Sequence, residues 1–352
     1  MIGDLKINPP IIQGAMGVRI SLARLASAVA NQGAVGTIAA ALIGGIKSNS
    51  SASEYKSADV RELTAQIRKA KTLTTGILAV NVMVAQTNYS ALVKTAAKEG
   101  INIVFSGAGL AMGLPKLVEG TRAKICPIVS SDRAAEIICK SWTKKYNYLP
   151  DGIVVEGPLA GGHLGFSFKE LESETTMPKL EDIVVKVIKV AEKYGNQGKR
   201  KIPVIAAGGI YDGKDIARML KLGVSGVQMA TRFACTYECD AAEEFKQAYI
   251  NAKKEDIIII RSPVGMPGRA IRNEFLDKSE RGEIKFDCPY QCLRTCIPSE
   301  SPYCIAGALV NAAEGNLKDG FVFVGSNAYR VDKILSVKDL IEELVEEAEA
   351  NL

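Results

Sequence analysis

Short apolar runs alternate with amphipathic segments along roughly the first two-thirds of the chain. Runs that are apolar at nearly every position are typical of strands buried on both faces, as in parallel sheets. They predict strands at residues 10–13, 34–38, 77–84, 101–106, 125–130, 153–156, 203–207 and 226–230. The amphipathic segments predict helices at residues 22–31, 60–71, 90–99, 110–118, 132–140, 180–193 and 215–222. Eight β/α alternations favour a closed (β/α)8 TIM barrel over an open doubly wound sheet.

The pattern changes after residue 234. A charged helix is predicted at residues 241–252 and a strand of four isoleucines at residues 257–260, followed by a cysteine-rich stretch. A second apolar strand at residues 321–324 and an acidic amphipathic helix at residues 337–350 close the chain. We therefore predict a barrel over residues 1–234 and a smaller α/β domain inserted at residues 235–320. Residues 321–352 are then expected to complete the barrel with a strand and a helix.

The bulk composition is ordinary for a globular protein, with 47% apolar and 24% charged residues. The 44 basic and 39 acidic residues give a net charge of +5. The basic residues are scattered and lack interleaved aromatic residues, so we expect no nucleic-acid partner. No signal peptide and no membrane-spanning run is visible, and eight cysteines without an export signal indicate a cytoplasmic, non-membrane protein. A homodimer is the default expectation for the oligomeric state.

The only histidine of the chain, His163, lies in its most glycine-dense stretch, EGPLAGGHLG at residues 156–165. Imidazole has the unperturbed pKa nearest neutrality and is the commonest proton-transfer group in enzymes. The stretch follows a predicted strand, and barrel enzymes build their active sites at the C-terminal ends of strands. These features favour a catalytic His163 over a structural histidine in a tight turn.

Small residues end both the seventh and the eighth predicted strands, in PVIAAGGI (203–210) and GVQMATRF (226–233). In barrels of this type, the loops after these two strands often bind a phosphate through backbone N–H groups and a helix N-terminus. The predicted phosphate loops contain Gly208, Gly209, Gln228, Met229, Ala230 and Thr231. The helix that starts near Asp212 is expected to direct its positive end at the same anion.

Two polar residues stand out within or beside apolar strands: Asn81 in AVNVM (79–83) and Lys124 just before a predicted strand. Buried polar groups need partners, so each is either a cofactor contact or a structural hydrogen-bonding residue. The first strand ends in PPIIQGAMG (9–17), where Ala15 and Met16 form a turn of small and flexible residues.

In combination, several motifs resemble the nitronate monooxygenase family, formerly called 2-nitropropane dioxygenases. They are IQGAM (12–16), LASAVAN (25–31), NVM (81–83), AGGHLG (160–165), AGGI (207–210), MATRF (229–233) and PGRAIRN (267–273). The family consists of FMN-dependent TIM barrels that are closely similar to the flavin-type enoyl-(acyl carrier protein) reductases. The motifs cover nearly the whole chain, but they separate the two activities poorly.

The resemblance implies a role for each matching position. Cofactor binding is assigned to Ala15, Met16, Asn81, Lys124, Gly161, Gly162, Gly208, Gly209, Gln228, Met229, Ala230 and Thr231, and no residue to a metal. Met16 and Asn81 are expected at the flavin ring, and Lys124 near its ribityl chain or ring edge. His163 is expected at the reactive face, as a base or as the orienter of an anionic substrate. Ala230 stands where the family usually has glycine. Its methyl group allows a contact between the backbone amide and a phosphate only if the φ of Ala230 is negative.

The leading functional prediction is the FMN-dependent oxidation of alkyl nitronates by molecular oxygen to a carbonyl product and nitrite. The alternative is NAD(P)H-dependent reduction of an enoyl thioester, and a non-enzymatic flavin-binding redox sensor is a third. The turn sequence Gly-Ala-Met leaves the choice open, because typical monooxygenases have Ala-Pro-Met and many reductases Gly-Gly-Met. The physiological small-molecule substrate is not specified by these motifs.

Four cysteines near the C-terminus, Cys288, Cys292, Cys296 and Cys304, are spaced C-x3-C-x3-C-x7-C. This spacing matches no common cluster signature, although four thiolates could bind a 4Fe–4S cluster or zinc. The first three also share one face if the segment is helical, which favours buried structural thiols. The remaining cysteines are expected to be structural; they are Cys126, Cys139, Cys235 and Cys239.

Overall fold

A computed structural model describes residues 1–45, 51–288 and 290–352. Its strands are β1 (Ile11–Gln13), β2 (Gly36–Ala39), β3 (Leu78–Met83), β4 (Ile103–Gly107), β5 (Lys124–Val129), β6 (Ile153–Glu156), β7 (Gly162–His163), β8 (Val204–Ala207), β9 (Gly226–Met229), β10 (Ile257–Arg261) and β11 (Pro267–Ile271). Its α-helices are α1 (Ala23–Asn31), α2 (Ala52–Leu73), α3 (Tyr89–Lys98), α4 (Leu114–Leu117), α5 (Asp132–Tyr146), α6 (Leu180–Gln197), α7 (Gly213–Lys221), α8 (Thr231–Ala234), α9 (Glu243–Asn251), α10 (Glu274–Glu280), α11 (Ile305–Ala313) and α12 (Val337–Glu349).

Eight parallel strands form a TIM barrel in the order β1-β9-β8-β6-β5-β4-β3-β2. The ring closes where Val35, directly before β2, donates to the carbonyl of Ile11 and accepts from the amide of Gln13, at 3.0 and 2.9 Å. The strands are almost entirely buried, because helices cover one face and the barrel interior the other. The prediction of a (β/α)8 barrel and of all eight strands is therefore confirmed.

The outer helices follow the predicted alternation, with differences at their ends. α2 begins well before the predicted residue 60, because Ser51 and Glu54 form a capping box at its start. Asp212 caps α7, and Ser131 caps α5. No side chain caps α1, and the hydroxyl of the nearby Ser21 accepts from the backbone amide of Met16 and the side-chain amide of Gln13. α12 packs against α7 and α1 and covers the barrel between them.

The barrel interior is a separate apolar core that the N-terminal segment closes from below. Ile12, Phe105 and Val154 pack there with other strand residues, and Ile2 joins them from a turn in which it bridges Leu5. This end of the barrel is therefore filled by side chains, and only the opposite end, where the strands terminate, is free to hold a ligand.

A second, antiparallel sheet joins the chain beyond residue 234 to the barrel, in the order β10-β11-β7. Helix α9 and strand β10 confirm the predicted helix at 241–252 and the predicted strand at 257–260. The expected strand at 321–324 is only an isolated bridge, in which Phe323 pairs with Ala270 of β11. The division into domains at residues 234 and 320 stays a prediction. Among the described residues, no helix has the length and apolar character needed to cross a membrane.

Candidate active site

A cavity of about 450 Å³ opens at the C-terminal ends of the barrel strands. Twelve of the predicted site residues border it: Ala15, Met16, Asn81, Gly161, Gly162, His163, Gly208, Gly209, Gln228, Met229, Ala230 and Thr231. The structure thus brings together residues that are spread over more than 200 positions of the chain. This is the end at which TIM barrels carry their active sites.

Lys124 is the exception, and its predicted contact with a flavin is wrong. It begins β5, and its ammonium group forms an ion pair of 2.8 Å with Asp4 at the closed end of the barrel. β5 has six residues, and a strand rises about 3.3 Å per residue, so the whole length of the strand separates Lys124 from the open end. The sequence placed Lys124 beside the strand but did not show at which end of the barrel it lies.

The glycine pair after β8 has a backbone shape that larger residues rarely adopt. Gly208 and Gly209 have φ values of +90° and +82°. A Cβ atom on Gly208 would lie 3.0 Å from the amide nitrogen of Ala160 and from the carbonyl oxygen of Gly157. Glycine is therefore required here for both conformation and space, and the loop presents its backbone to the cavity.

The start of the short helix α8 completes this part of the cavity. Ala230 precedes the helix with a φ of −127°, so its methyl group meets the condition for backbone contact with an anion. Gly325 joins it from the far C-terminal region, where a Cβ atom would lie 2.7 Å from the Thr231 hydroxyl. Gly208, Gly209, Thr231 and Gly325 all border the cavity. Backbone groups of this kind fit the phosphate of a cofactor.

The start of α7 does not take part, contrary to the expectation from the sequence. The Asp212 side chain caps this helix, and the amide of Gly213 donates to the Glu347 carboxylate of α12 at 2.8 Å. Carboxylates of the chain itself therefore occupy the positive end of α7, and neither residue borders the cavity.

His163 is held in place by the antiparallel sheet beyond the barrel. In β7 it pairs with Gly268 of β11, and its Nε2 atom lies 2.6 Å from the Ser262 hydroxyl oxygen. The ring of Phe323 packs edge-on against the imidazole, with the ring centres 5.0 Å apart. Loss of solvation lowers the pKa of His163 to about 4, so the ring is neutral at physiological pH.

Arg269 organises the loop that leads to His163. Its guanidinium is buried and donates to the carbonyl oxygens of Pro158 and Ala160, at 2.8 and 2.5 Å. Burial lowers the pKa of Arg269 to about 10, so the side chain keeps its charge. Gly161 follows in close contact with the backbone of Val324, since a Cβ atom there would lie 2.7 Å from the Val324 carbonyl carbon.

Glu156 is a second titratable group on the cavity wall. It ends β6 beside Ala207 of β8, and its side chain is partly exposed. Burial alone raises the pKa of its carboxyl to about 7. The cavity therefore contains a base that stays neutral and an acid that is partly protonated near neutral pH. Perturbed titratable groups of this kind cluster at active sites.

The cavity has an apolar wall on the side of β2 and β3, away from the glycine pair. Its residues come from the loop after β2, from α2, from the cysteine-rich region and from α11. They are Leu42, Tyr55, Cys292, Leu293, Ile305 and Leu309.

Several residues of the site were not predicted from the sequence. They are Glu156, Ser262, Arg269, Phe323 and Gly325. An acidic residue directly after the apolar run 153–155 was a signal for Glu156. Ser262 and Gly325 carried no local signal, because Ser262 meets His163 and Gly325 meets the cavity only where distant segments come together.

The model of the nitronate monooxygenase family matches this chain in two overlapping stretches, residues 1–102 and 78–347. A Mycobacterium tuberculosis protein, "(3aS,4S,5R,7aS)-5-hydroxy-7a-methyl-1-oxo-octahydro-1H-indene-4-carboxyl-CoA dehydrogenase", is 27% identical over 78% of this chain and 66% of its own length. A Staphylococcus aureus "Probable nitronate monooxygenase" is 35% identical over 38% of this chain and 35% of its own length. The chain thus spans less than two-thirds of the length of these curated relatives.

Solved structures share the fold over almost the whole chain. FabK from Thermotoga maritima superposes with a TM-score of 0.75 and 28% identity, covering 98% of this chain and 94% of that one. A nitroalkane oxidase from Streptomyces ansochromogenes gives a TM-score of 0.74 at 20% identity, covering 98% and 97%, which shows the fold alone. The match of the family model over most of the chain, on a barrel of this form, shows that the protein belongs to the nitronate monooxygenase family.

Proposed function

We propose that the protein is an FMN-dependent enzyme that oxidises alkyl nitronates with molecular oxygen to a carbonyl product and nitrite. The observation that carries the proposal is the placement of a neutral imidazole, His163, in the same cavity as a backbone-lined phosphate site. Membership of the nitronate monooxygenase family supports the choice of substrate.

The residues of the cavity fit FMN. Gly208, Gly209, Ala230 and Thr231 would hold the phosphate through backbone groups, since the positive φ values of the glycines expose their backbone there. The remaining contacts would come from Ala15, Met16, Asn81, Gly161, Gly162, Gln228 and Met229. When bound, FMN supplies the electron-transfer chemistry between the nitronate and oxygen.

His163 acts as a proton acceptor when the substrate arrives as the neutral nitroalkane, which it converts to the nitronate, whereas a nitronate that is supplied directly needs no base. A neutral imidazole can remove the α-proton of a nitroalkane, whereas it lacks the charge needed to stabilise an anion by ion pairing. The short contact with Ser262 and the packing of Phe323 fix the ring in one orientation. The low pKa of about 4 keeps His163 in the basic form throughout the physiological pH range.

The second candidate function is NAD(P)H-dependent reduction of an enoyl thioester. The apolar wall formed by Tyr55, Leu293, Leu309 and their neighbours favours it, because an acyl chain would bury more apolar surface there than a small nitronate. The resemblance to the relative whose name specifies a carboxyl-CoA dehydrogenase also supports a thioester substrate.

One anaerobic experiment separates the two candidates. The flavin-loaded protein is mixed first with NADH or NADPH and then, in a fresh sample, with an alkyl nitronate, while the flavin absorbance is followed. An unchanged spectrum with the nicotinamides and a rapid change with the nitronate are expected. Bleaching by NADPH without a response to nitronate would replace the proposal by the reductase.

A further inference from the structure

The four C-terminal cysteines lie together in one region beside the cavity. Cys288, Cys292 and Cys304 belong to one apolar cluster that also contains Leu293 and Leu309. The thiol of Cys296 is close enough to influence the pKa values of Cys292 and Cys304. We call Cys288 together with residues 290–304 the cysteine segment. All four cysteines lie in the described part of the chain, and none of them is in a disulfide.

The cysteine segment does not form a helix, so its cysteines do not share the single helical face that would favour a structural role. Residues 290–297 are neither helix nor extended strand, and only a short 3₁₀ turn at Pro298–Glu300 precedes Cys304. The prediction of a shared helical face is therefore wrong, because the chain here turns irregularly. What brings the thiols together is the tertiary fold of the segment rather than a helical repeat.

The other four cysteines show what a structural thiol looks like in this protein. Cys126, Cys139, Cys235 and Cys239 are at most 2% exposed, and they lie in or beside regular elements of the barrel. In the cysteine segment only Cys292 is comparably buried, and the other three are partly exposed. Packing in an apolar core thus accounts for the first group of cysteines but not for the second.

Between described residues, backbone hydrogen bonds tie the cysteine segment to the turn after β3. The carbonyl of Cys292 accepts from the amide of Thr87 at 3.1 Å, and the amide of Arg294 donates to the carbonyl of Ala85 at 2.9 Å. Long irregular stretches with little secondary structure are commonly functional, or are held by a metal centre. A group that cross-links the four thiols would give this segment the restraint that its backbone lacks.

Four free thiols in one region are the donor set of a 4Fe–4S cluster. Among the described side chains, no three His, Cys, Asp or Glu residues are placed to hold one metal ion. A single zinc ion needs thiolates about 2.3 Å from one centre. A four-iron cluster is wider, since each cysteine binds a different iron atom, and it therefore accepts thiolates that stand further apart.

We propose that the four cysteines of this segment bind a 4Fe–4S cluster. The partial exposure of Cys288, Cys296 and Cys304 leaves a path for the cluster to enter. Cys292 and Leu293 also border the active-site cavity, so the bound cluster would lie against the cavity wall. The proposal does not depend on which substrate the cavity accepts.

The test is a metal analysis of the full-length protein, purified under anaerobic conditions and reconstituted with ferrous iron and sulfide. We expect about four iron and four acid-labile sulfide ions per chain. Replacing Cys292 or Cys296 by serine should remove most of the iron. Cys139→Ser is the matched control, because this thiol is buried in α5 and should leave the iron content unchanged.

A second readout keeps the test valid if a serine variant folds poorly. In the reconstituted wild-type protein, the four thiols of the segment should resist alkylation. Removal of the iron with a chelator and oxidant, followed by a thiol reductant, should restore their reactivity. Zinc without sulfide would overturn the proposal. So would fewer than about one iron per chain after reconstitution, with all four thiols open to alkylation.

Discussion

The two sides of the active-site cavity are built in different ways. The barrel side consists of strand ends and turns such as those at Gly208 and Ala230, which offer mainly backbone atoms. The opposite side includes Met266, Phe323 and Gly325, and the neighbouring side chains of Ser262 and Arg269 contact His163 and the loop before it. His163 connects them, since it follows a barrel strand but is paired with β11.

Because of this difference, we expect mutations on the two sides to impair function for different physical reasons. On the barrel side, the positions are determined by parallel strand register, and function depends on how little space each residue takes. On the other side, function depends on the particular polar groups that a side chain carries. Substitutions that add an atom should damage the first side, and substitutions that remove a polar group should damage the second.

The largest effect is expected at His163, where the two sides meet. His163→Asn should keep bound FMN but lower turnover of a neutral nitroalkane by about 10²- to 10⁴-fold, the usual contribution of a positioned acid–base group. Steady-state kinetics normalised to flavin content measures this loss. Ser262→Ala, which keeps the imidazole but removes its 2.6 Å partner, should lose less. Full turnover in His163→Asn would remove this residue from the mechanism.

Arg269→Met tests the side that depends on polar groups. It leaves the carbonyls of Pro158 and Ala160 without a donor in a buried site, which should lower the free energy of unfolding by about 2–4 kcal/mol. Urea denaturation measures the change. Arg272→Met is the control, because its ion pair with Asp277 is exposed and should contribute less than about 1 kcal/mol. Equal losses in the two variants would contradict the role of Arg269.

Gly208→Ala tests the side that depends on space. The alanine must adopt a φ of +90°, and its Cβ atom would lie 3.0 Å from the backbone of Ala160. FMN affinity should therefore fall at least about tenfold. Titration of flavin fluorescence gives the dissociation constant. Gly113→Ala, whose Cβ would meet nothing within 4 Å, should bind FMN normally. Unchanged affinity in Gly208→Ala would argue against this loop as the phosphate site.

The smallest effect is expected from Glu156→Gln, as a change in pH dependence. Folding raises the Glu156 pKa from 4.5 to about 7, so its protonated form is favoured in the folded state. This contribution to stability is complete below pH 4.5 and is lost as the pH rises through 7. The melting temperature of the variant minus that of the wild type should therefore increase from pH 5 to pH 8. The contribution of His163 has the opposite sign but is common to both proteins. If the plots of melting temperature against pH for the two proteins run parallel across this range, the pKa of Glu156 is not raised.

Local patterns were sufficient to predict the barrel and the rim that carries the cavity, and the family resemblance implied further contact residues such as Met16 and Gly161. Each buried strand is a continuous apolar run, and the glycine pair at 208–209 marks its turn in the sequence itself. The predicted contact residues lie together because parallel strands all end at the same rim, which follows from the fold class alone. Their roles in binding FMN and in catalysis stay predictions.

The sequence by itself determined the features that follow from short-range periodicity and from small residues at strand ends. Only the three-dimensional fold places Lys124 at the closed end of the barrel, Ser262 against His163, and Gly325 at the cavity. It also decided that the four C-terminal cysteines converge without a helix. For Ser262 and Gly325 the physical reason is that their contacts join segments about 100 residues apart, and for Lys124 it is the direction of a strand. No local pattern of hydrophobic and polar residues records either of these.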